Sequence, residues 1–519
     1  MDKKLIVHKH DGKVMELAPA AGLNMAQNLF LNGAFQGVPL CSGMGRCGLC
    51  KVRYESEPPE PRKEEQQKLS SAEIKSGWRL SCLHPANAAT IFLPEPERVV
   101  PRVSDKFTNE LPENLGLAVD LGTTGMHWAF TIDGETVKSG QELNPQIGLG
   151  SEVMSRLAFA AKPEQRKTLS KLVTERLQTI IAETVPIEKL VVSGNPSMTS
   201  ILAQDEVEGL SRAPYSLPDK GGKRVKLDAK LPEAYIPPHL APFVGADITA
   251  GIVALNFTDA KAQPPYLFAD LGTNGEFVLC LSEDEYIVCS VPMGPALEGV
   301  GISNGRTAGP GAVNAFNMTP LGLTPAVITA DKPEQDQKPG ITGTGYLSLC
   351  SQLLKSGVLT REGQFGPGNT PFAAKLAGKL TEINGTPVLD LGYEGLTLPA
   401  PDVEEILKVK AAFNLAMSAL LKEAGLAPSD LKELILGGAM GQHVNINDLV
   451  ATGFIPAESA TITRAAGNTS LKGAIILTHN QEARDFASSL PARSKVLELA
   501  GSSDFGQKYL ERMIFKYVY

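Results

Sequence analysis

Three cysteines share one glycine-rich turn, Cys41-Ser-Gly-Met-Gly-Arg-Cys47-Gly-Leu-Cys50, and Cys82 follows after thirty-one intervening residues. No other stretch limits so strongly what this chain can fold into. The C-x5-C-x2-C pattern plus one distant cysteine offers four thiolates, enough to hold a [2Fe–2S] cluster. Such a turn must wrap a metal while its N–H groups face sulfur, and Gly43, Gly45 and Gly48 supply the freedom of φ. Zinc is the nearest alternative. Structural zinc ligands usually come as two close couples, whereas here three share a loop and the fourth stands alone. The remaining four-fifths of the chain must use, or drive, an electron.

The chain has 519 residues, which predicts about two to four domains at ~150 residues each. Its net charge of −8 argues against nucleic acid as a partner, since phosphate neutralisation needs a basic face. No run of eighteen apolar residues is present, so no membrane span is expected. The opening Met-Asp-Lys-Lys-Leu-Ile-Val lacks a signal-peptide pattern, and the expected location is the cytoplasm. Seven cysteines, four grouped and three scattered, fit a metal site in a reducing compartment better than a disulfide framework. Cys280, Cys289 and Cys350 sit in apolar runs and read as small core residues.

Residues 1–94 form a first unit. Lys4–His8 and Lys13–Leu17 predict strands around the Asp11-Gly12 turn, and Asn24–Leu31 a helix. Lys51–Tyr54 predicts a strand and Glu64–Ser76 a helix. Trp78-Arg79-Leu80-Ser81-Cys82 brings back the fourth thiol, and Thr90–Leu93 closes the sheet. Two strands, helix, loop, strand, helix and final strand make a β-grasp order. Residues 95–113 are proline-rich and charged, without period, and read as a linker.

A second signal follows. Leu115–Val119 is a buried-strand pattern ending in Asp120-Leu-Gly-Thr-Thr-Gly125, and Tyr266–Ala269 ends in Asp270-Leu-Gly-Thr-Asn-Gly275. A strand, an aspartate and a glycine turn recur about 150 residues apart, which marks an internal repeat. Glycines let backbone N–H groups approach an anion, and the threonines add hydroxyls. Between the copies, Pro163–Ala182 predicts a helix with a three-four apolar stripe, Lys189–Ser193 a strand, and Arg212–Gly245 a loop. Ala246–Leu255 is a helix with Asp247 in its first turn.

Beyond the second copy, Cys289–Ala312 is glycine-rich and includes Glu298 and Arg306, read as a loop over phosphates or a partner surface, or as plain surface loop. Ile341–Leu354 leads into a helix. Asp402–Ala424 is the clearest helix, with Asp402 and Glu405 as a capping pair and Gly425 as its stop. Leu431–Leu436 is a buried strand ending in Gly437-Gly438-Ala-Met-Gly441, placing N–H groups and a helix start against a ligand. Arg464–Leu477 reads as a small-residue helix, Val496–Leu499 as a strand and Phe505–Tyr517 as a helix.

Two D-L-G-T turns and a late G-G-x-x-G resemble the acetate and sugar kinase, heat-shock chaperone and actin superfamily (ASKHA), whose nucleotide lies between duplicated α/β lobes. The first unit resembles a [2Fe–2S] ferredoxin. The combination looks like the ATP-dependent reductive activators of corrinoid proteins. Further motifs carry that resemblance: Val192-Ser-Gly-Asn-Pro-Ser-Met198, Arg212-Ala-Pro-Tyr215, Phe243-Val-Gly-Ala-Asp247, Gly294-Pro-Ala-Leu-Glu-Gly299 and Gly467-Asn-Thr-Ser-Leu-Lys-Gly-Ala474. The implied fold is α+β then α/β. A ferredoxin-like β-grasp occupies 1–94, a linker 95–113, a first ASKHA lobe 114–262 and a second 263–519. The short linker leaves no room for the extra middle domain that some relatives carry.

By motif position, the resemblance implies that Cys41, Cys47, Cys50 and Cys82 hold the cluster. Asp120, Gly122, Thr123 and Thr124 would form the first phosphate loop, and Asp270, Gly272, Thr273 and Asn274 the second. Gly437 and Gly438 would approach the adenosine. ATP, Mg²⁺ and the [2Fe–2S] cluster are the implied cofactors, with Asp120 and Asp270 organising Mg-ATP. The implied reaction is reduction of cob(II)alamin to cob(I)alamin on a corrinoid protein of a methyltransferase or O-demethylase system in anaerobic methyl transfer. An upstream low-potential electron donor, and a homodimer partner, complete the picture. A small-molecule kinase with a fused redox sensor, and a non-enzymatic iron–sulfur electron carrier, are the competing functions. His127 reads as a core or edge histidine rather than an acid/base, whereas ligand contact and helix packing explain Arg464 and Asn468 equally.

Overall fold

The computed structural model describes residues 4–519 except 97, 100, 106–113, 183–185, 273, 300, 321, 330–338, 439–443 and 500–503. It divides into two compact units, 1–250 with 473–488, and 251–472 with 489–519.

The first unit opens with strands β1 (Leu5–His8), β2 (Val14–Leu17), β3 (Lys51–Tyr54), β4 (Trp78–Leu80) and β5 (Ala89–Phe92). They form one sheet in the order β2-β1-β5-β3-β4, with β1 and β5 parallel and the other pairs antiparallel. This is a β-grasp. Alternating Leu5, Val7, Val52, Leu80 and Ile91 face inward and are fully buried, as period-two patterning requires. The helix Met25–Leu31 lies on that core. Asn24 caps it reciprocally with Gln27, satisfying two of its orphan N–H groups.

The helix expected over Glu64–Ser76 is two helices, Lys63–Lys68 and Ser71–Lys75. Glu65 turns inward, fully buried, to accept the Leu80 N–H at 2.6 Å. Ser70 then begins a fresh helix by capping with Glu73. Local polar partners outcompeted continuation of the helix.

The same unit continues with β6 (Arg102–Asp105), β7 (Leu115–Leu121), β8 (Gly125–Ile132), β9 (Glu135–Leu143), β10 (Lys189–Gly194), β11 (Lys223–Val225) and β12 (Ala234–Ile236). Their order is β11-β12-β10-β7-β8-β9-β6. The stretch read as an aperiodic linker thus lends β6, wholly exposed, to the edge beside β9. The proline-rich 212–245 stretch likewise contributes β11 and β12. Strands of three or four residues are too short to show a period.

The second unit carries β13 (Tyr266–Leu271), β14 (Asn274–Ser282) and β15 (Glu285–Pro292). Two small sheets follow, built from β16 (Ala312–Thr319), β17 (Gly322–Val327) and β18 (Gly340–Ile341), and from β19 (Leu380–Ile383), β20 (Thr386–Asp390) and β21 (Thr397–Pro399). Then come β22 (Glu433–Gly437), β23 (Thr463–Gly467) and β24 (Ser494–Val496). The main sheet runs β23-β22-β13-β14-β15-β24. The arrangement β12-β10-β7-β8-β9 in the first unit matches β23-β22-β13-β14-β15 in the second. In each, an antiparallel three-strand meander is flanked by two parallel strands. The repeat seen in the D-L-G-T motifs is therefore a repeat of whole lobes.

The helix Ala400–Ala424 runs through the second core and stops at Gly425, which takes φ 68°. Its Phe413 ring meets Phe277 and Phe454 edge-on, with centroids 5.2 and 5.6 Å away. Asp402 does not cap this helix. Its carboxylate accepts from Ser303 N and Oγ at 3.0 and 3.1 Å, fastening the glycine-rich loop. Arg464–Gly467 is strand rather than helix, because Arg464 sits in parallel register beside Ile435. The helix starts only at Thr469. The strand read at Val496–Leu499 lies at Ser494–Val496. The last helix ends at Glu511. Beyond it, buried Lys410 takes the carbonyls of Arg512 and Lys516, and Asn414 accepts from Val518 N, so the tail's backbone is bonded without a helix.

Replacing Phe413 with Ala leaves a cavity between two aromatic rings and is expected to cost about 3–5 kcal/mol. Denaturant unfolding of the purified variant measures it; a loss below ~1 kcal/mol would show that this aromatic contact is not the core's centre.

Candidate functional site

The cysteine turn leaves α and β geometry at four places: Ser42 at φ 47°, Gly43 at 107°, Gly45 at 66° and Gly48 at 74°. Three of the four are glycines, as left-handed backbone demands, and Ser42 carries the strain of the fourth. This winding brings Cys41, Cys47 and Cys50 into the wall of one small cavity, where the short helical turn after β4 delivers Cys82. Asn24, Ala26, Gln27, Leu40 and Gly148 share that wall. Cys47 N faces Cys41 Sγ, and Leu49 N faces Cys47 Sγ, each at 3.5 Å.

The thiols touch in couples: Cys41 with Cys47, Cys50 with Cys82, and Cys41 with Cys82. Thiol contact from Cys47 and then Cys82 favours the Cys41 thiolate, and contact from Cys82 favours that of Cys50. The same contacts, with burial, push Cys47 and Cys82 up. Among the described residues no three His, Cys, Asp or Glu side chains are placed to hold a metal ion. The four thiols, linked through these three contacts around one cavity, are a donor set of the number and softness that an iron–sulfur cluster takes.

Asp120 lies at the end of β7, opposite Ser193 of β10 and His127 of β8. Asp270 holds the same place on β13, opposite Gly437 of β22 and Glu276 of β14. In the first lobe the turn after Asp120 is braced from behind. Asn144 Nδ2 donates to Gly122 O at 2.7 Å, Arg156 Nη1 to Thr123 O at 2.8 Å, and Asn144 N to Thr124 O at 2.8 Å. Thr123 Oγ1 accepts from Asn195 Nδ2 at 3.0 Å, while Asn195 Oδ1 caps the helix Pro196–Ala203. The carbonyls of Gly122, Thr123 and Thr124 are thus all held from the protein side, which fixes the course of the turn.

Half-buried Asp247, at the start of the helix Ala246–Asn256, stands near Asp120. Loss of solvent pushes its carboxyl up to about 7, and the Asp120 charge adds to that, against a 2.9 Å bond from Ile248 N. His127 Nδ1 is 3.5 Å from Asp120 Oδ2.

In the second lobe, Asp270, Gly272, Gly437 and Gly438 converge at the carboxyl ends of β13 and β22. Gly438, at φ 79°, fits only as glycine: a Cβ there would lie 2.6 Å from Asp270 Oδ1 and from Leu271 O. A Cβ on Gly437 would lie 2.7 Å from the Phe268 ring. Asn274 O accepts from Gly272 N at 3.0 Å and opens β14. Thr273 and the 439–443 part of the G-G-x-x-G segment lie outside the described residues. Glu298 approaches Gly272, whereas Arg306 bonds its own loop at Pro310 O, 2.9 Å away. Arg464 pairs with Glu433 at 2.6 Å.

Four residues around these sites were given no role by sequence reading: Asn144, Arg156, Asn195 and Asp247. Asp247 carried a signal, an acid in the first turn of a mostly apolar helix. Asn195 had the N-cap position before Pro196. Arg156 had none, since its burial at 0 % exposure follows from packing alone.

The fold and its turns define an ASKHA protein with an N-terminal β-grasp domain of ferredoxin type. Residues 265–518 match the family model described as the C-terminal domain of RACo, the ASKHA domain, and residues 115–260 that of the RACo middle region. The chain belongs to the RACo family. The expectation that a middle domain is missing is thus corrected: the stretch read as the first lobe is the region that this family calls its middle. A corrinoid activation enzyme, RamQ, from Eubacterium limosum is 27% identical over 427 residues, 77% of this chain and 70% of the relative. A Co(II) methylated amine-specific corrinoid protein reductase from Methanosarcina barkeri is 29% identical over 399 residues, 69% of this chain and 68% of the relative. A solved reductive activator for corrinoid, iron–sulfur protein superposes with a TM-score of 0.65 at 20% identity, covering 99% of this chain and 98% of that one. The named relatives are enzymes, and so is this chain.

An acid whose pKa is higher folded than unfolded binds more protons in the folded state between the two values. For Asp247 that window runs from its unfolded value near ~4 to about 7, and stability falls as pH rises through it. Asp247→Asn is therefore expected to be more stable than the parent near pH 8, by roughly 1–3 kcal/mol, with no gain below about pH 4.5. Thermal unfolding without nucleotide or divalent cation measures this; an equal difference at both pH values would refute it.

Proposed function

We propose that this chain is an ATP-dependent reductive activator of a corrinoid protein, reducing cob(II)alamin to cob(I)alamin with electrons passed through a [2Fe–2S] cluster. The observation that carries the reading is a pairing within one chain: a four-thiol cavity, and two lobes that end equivalent strands on Asp120 and Asp270. The named relatives support the corrinoid substrate.

When bound at Cys41, Cys47, Cys50 and Cys82, a cluster of this type supplies a one-electron donor at roughly −400 mV. The protein encloses it with buried Cys41, Cys50 and Cys82 and leaves Cys47 half-buried, the side on which an electron would enter or leave. Asp120, with Asp247 beside it, and Asp270 would hold Mg²⁺ through waters, a role suited to carboxylates. The N–H groups of Gly122, Thr123, Thr124, Gly272, Thr273 and Asn274 would bind phosphate oxygens. Gly437 and Gly438, bare of side chain, would let the adenosine approach the backbone.

Co(I) is a strong reductant, so its formation from Co(II) by such a donor is uphill. ATP turnover offsets that by populating a complex in which cobalt is easier to reduce. No phosphorylated product is expected. On this reading the cluster domain spans 1–94, the linker 95–113, and the lobes 114–262 and 263–519, in a cytoplasmic protein served by a low-potential donor. No helix among the described residues is long and apolar enough to cross a membrane.

The test mixes reduced protein, Mg-ATP and a corrinoid protein in the cob(II) state and follows the cob(I) absorption band. The band should form with ATP and not without it. Cys47→Ser should lose the visible iron–sulfur absorbance and the activity. Asp270→Ala should keep the absorbance and lose at least ~100-fold in rate, as removal of a residue organising the reacting nucleotide does. Full activity in Asp270→Ala, or phosphoryl transfer to an acceptor without corrinoid, would overturn the proposal.

A further inference from the structure

The cysteine cavity and the first phosphate turn lie in the same compact unit, and one short segment touches both. Asn144 and Arg156 hold the carbonyls of Gly122, Thr123 and Thr124, as described above. From Asn144 the chain passes directly into the single helical turn Ile147–Leu149. At the first residue of that turn Ser42 Oγ, one residue after Cys41, donates to Ile147 O. Gly148 forms part of the cavity wall itself.

This segment is stiff. Asn144 Oδ1 accepts from Gln146 N at 2.8 Å, and Asn144 O accepts from Ile147 N at 3.0 Å. Gln146 is fully buried and donates from Nε2 to Leu169 O at 3.0 Å. Arg156, also fully buried, donates from Nε and Nη2 to Gly150 O and from Nη1 to Gln146 Oε1. One guanidinium therefore grips both the phosphate turn and the end of the segment. Gly148 packs flat on Phe30 of the helix Met25–Leu31: a Cβ there would lie 2.2 Å from the ring. Interiors packed this closely transmit small displacements rather than absorbing them.

We propose that residues 144–150, anchored by Arg156, are the strap that couples nucleotide occupancy at the Asp120–Gly125 turn to the cysteine loop. Phosphate binding at the turn pulls on Asn144 and Arg156. The strap passes that to Ile147 and Gly148, and thence to Ser42 and the setting of Cys41. Asn144, Arg156, Gly148 and Ser42 are positioning residues in this scheme, acting through the turn and the thiols rather than on substrate. The inference rests on the nucleotide-driven electron transfer proposed above.

The experiment uses the full chain with its cluster reconstituted. A non-hydrolysable ATP analogue with Mg²⁺ is titrated in, and the electron paramagnetic resonance spectrum and midpoint potential of the cluster are recorded. The parent should show a nucleotide-induced change in both. Gly148→Ala, which wedges the strap from Phe30, and Ser42→Ala, which removes only the hydroxyl tie, should keep cluster content and analogue affinity within about two-fold. Both should lose most of the nucleotide-induced spectral change. Ser42→Ala replaces a small side chain and guards against misfolding of the glycine variant.

Retention of the full response in Ser42→Ala and Gly148→Ala would overturn the strap. So would a parent that binds the analogue with no response at the cluster, while ATP-dependent cob(I) formation in that parent would leave the functional reading intact. A parent that binds no nucleotide at all would overturn both.

Discussion

A backbone turn can present N–H groups to an anion only if its carbonyls are satisfied elsewhere. In the first lobe that requirement is met by two buried polar residues, Asn144 and Arg156, which take three consecutive carbonyls, Gly122 to Thr124. A fully buried guanidinium is costly unless its donors are used. Those of Arg156 reach Thr123 O, Gly150 O and Gln146 Oε1, and burial alone lowers its pKa to about 9. The turn, the helix Val153–Ala160 and the 144–150 segment are tied to that one side chain. Through Gly148 and Ser42, so is the wall of the cysteine cavity.

The second lobe reaches a similar end by different means. There Gly438 comes so near Asp270 that no side chain fits, and Gly437 packs on Phe268. Duplication preserved strand order and the place of the aspartate, but not the side chains that support it. What both lobes keep is an acid at the carboxyl end of a buried strand that has a parallel neighbour, the end at which open α/β sheets bind ligands.

The cysteines show a comparable division between chain-local and long-range determinants. Ser42, Gly43, Gly45 and Gly48 set the winding of the loop by their φ angles. The delivery of Cys82 depends on β4, and that strand is held by Glu65, whose buried carboxylate accepts Leu80 N and meets His84 Nε2 at 3.0 Å. A carboxylate that would ordinarily face water is thus spent on fixing the approach to the last thiol.

Much of this could be read from residues in order. The cysteine spacing, the paired D-L-G-T turns and the β-grasp element order rest on short-range rules: glycine at left-handed φ, alternation in strands, three-four spacing in helices. Those rules act within a few residues and survive in one dimension. Where they failed, a distant partner had intervened. Asp402 has the pattern of a cap yet serves Ser303, ninety-nine positions away. Arg464 begins a helical-looking run yet lies in a sheet beside Ile435, its guanidinium paired with Glu433. The strands at 102–105, 223–225 and 234–236 exist because a sheet edge was there to receive them. Arg156, Asn144 and Asp247 acquired their roles only when burial removed water and left each polar group to find its partner inside the protein. Sequence alone thus named the thiols and turns proposed to bind metal and phosphate; tertiary packing decided which neutral and charged residues hold them in place, because desolvation has no one-dimensional signature.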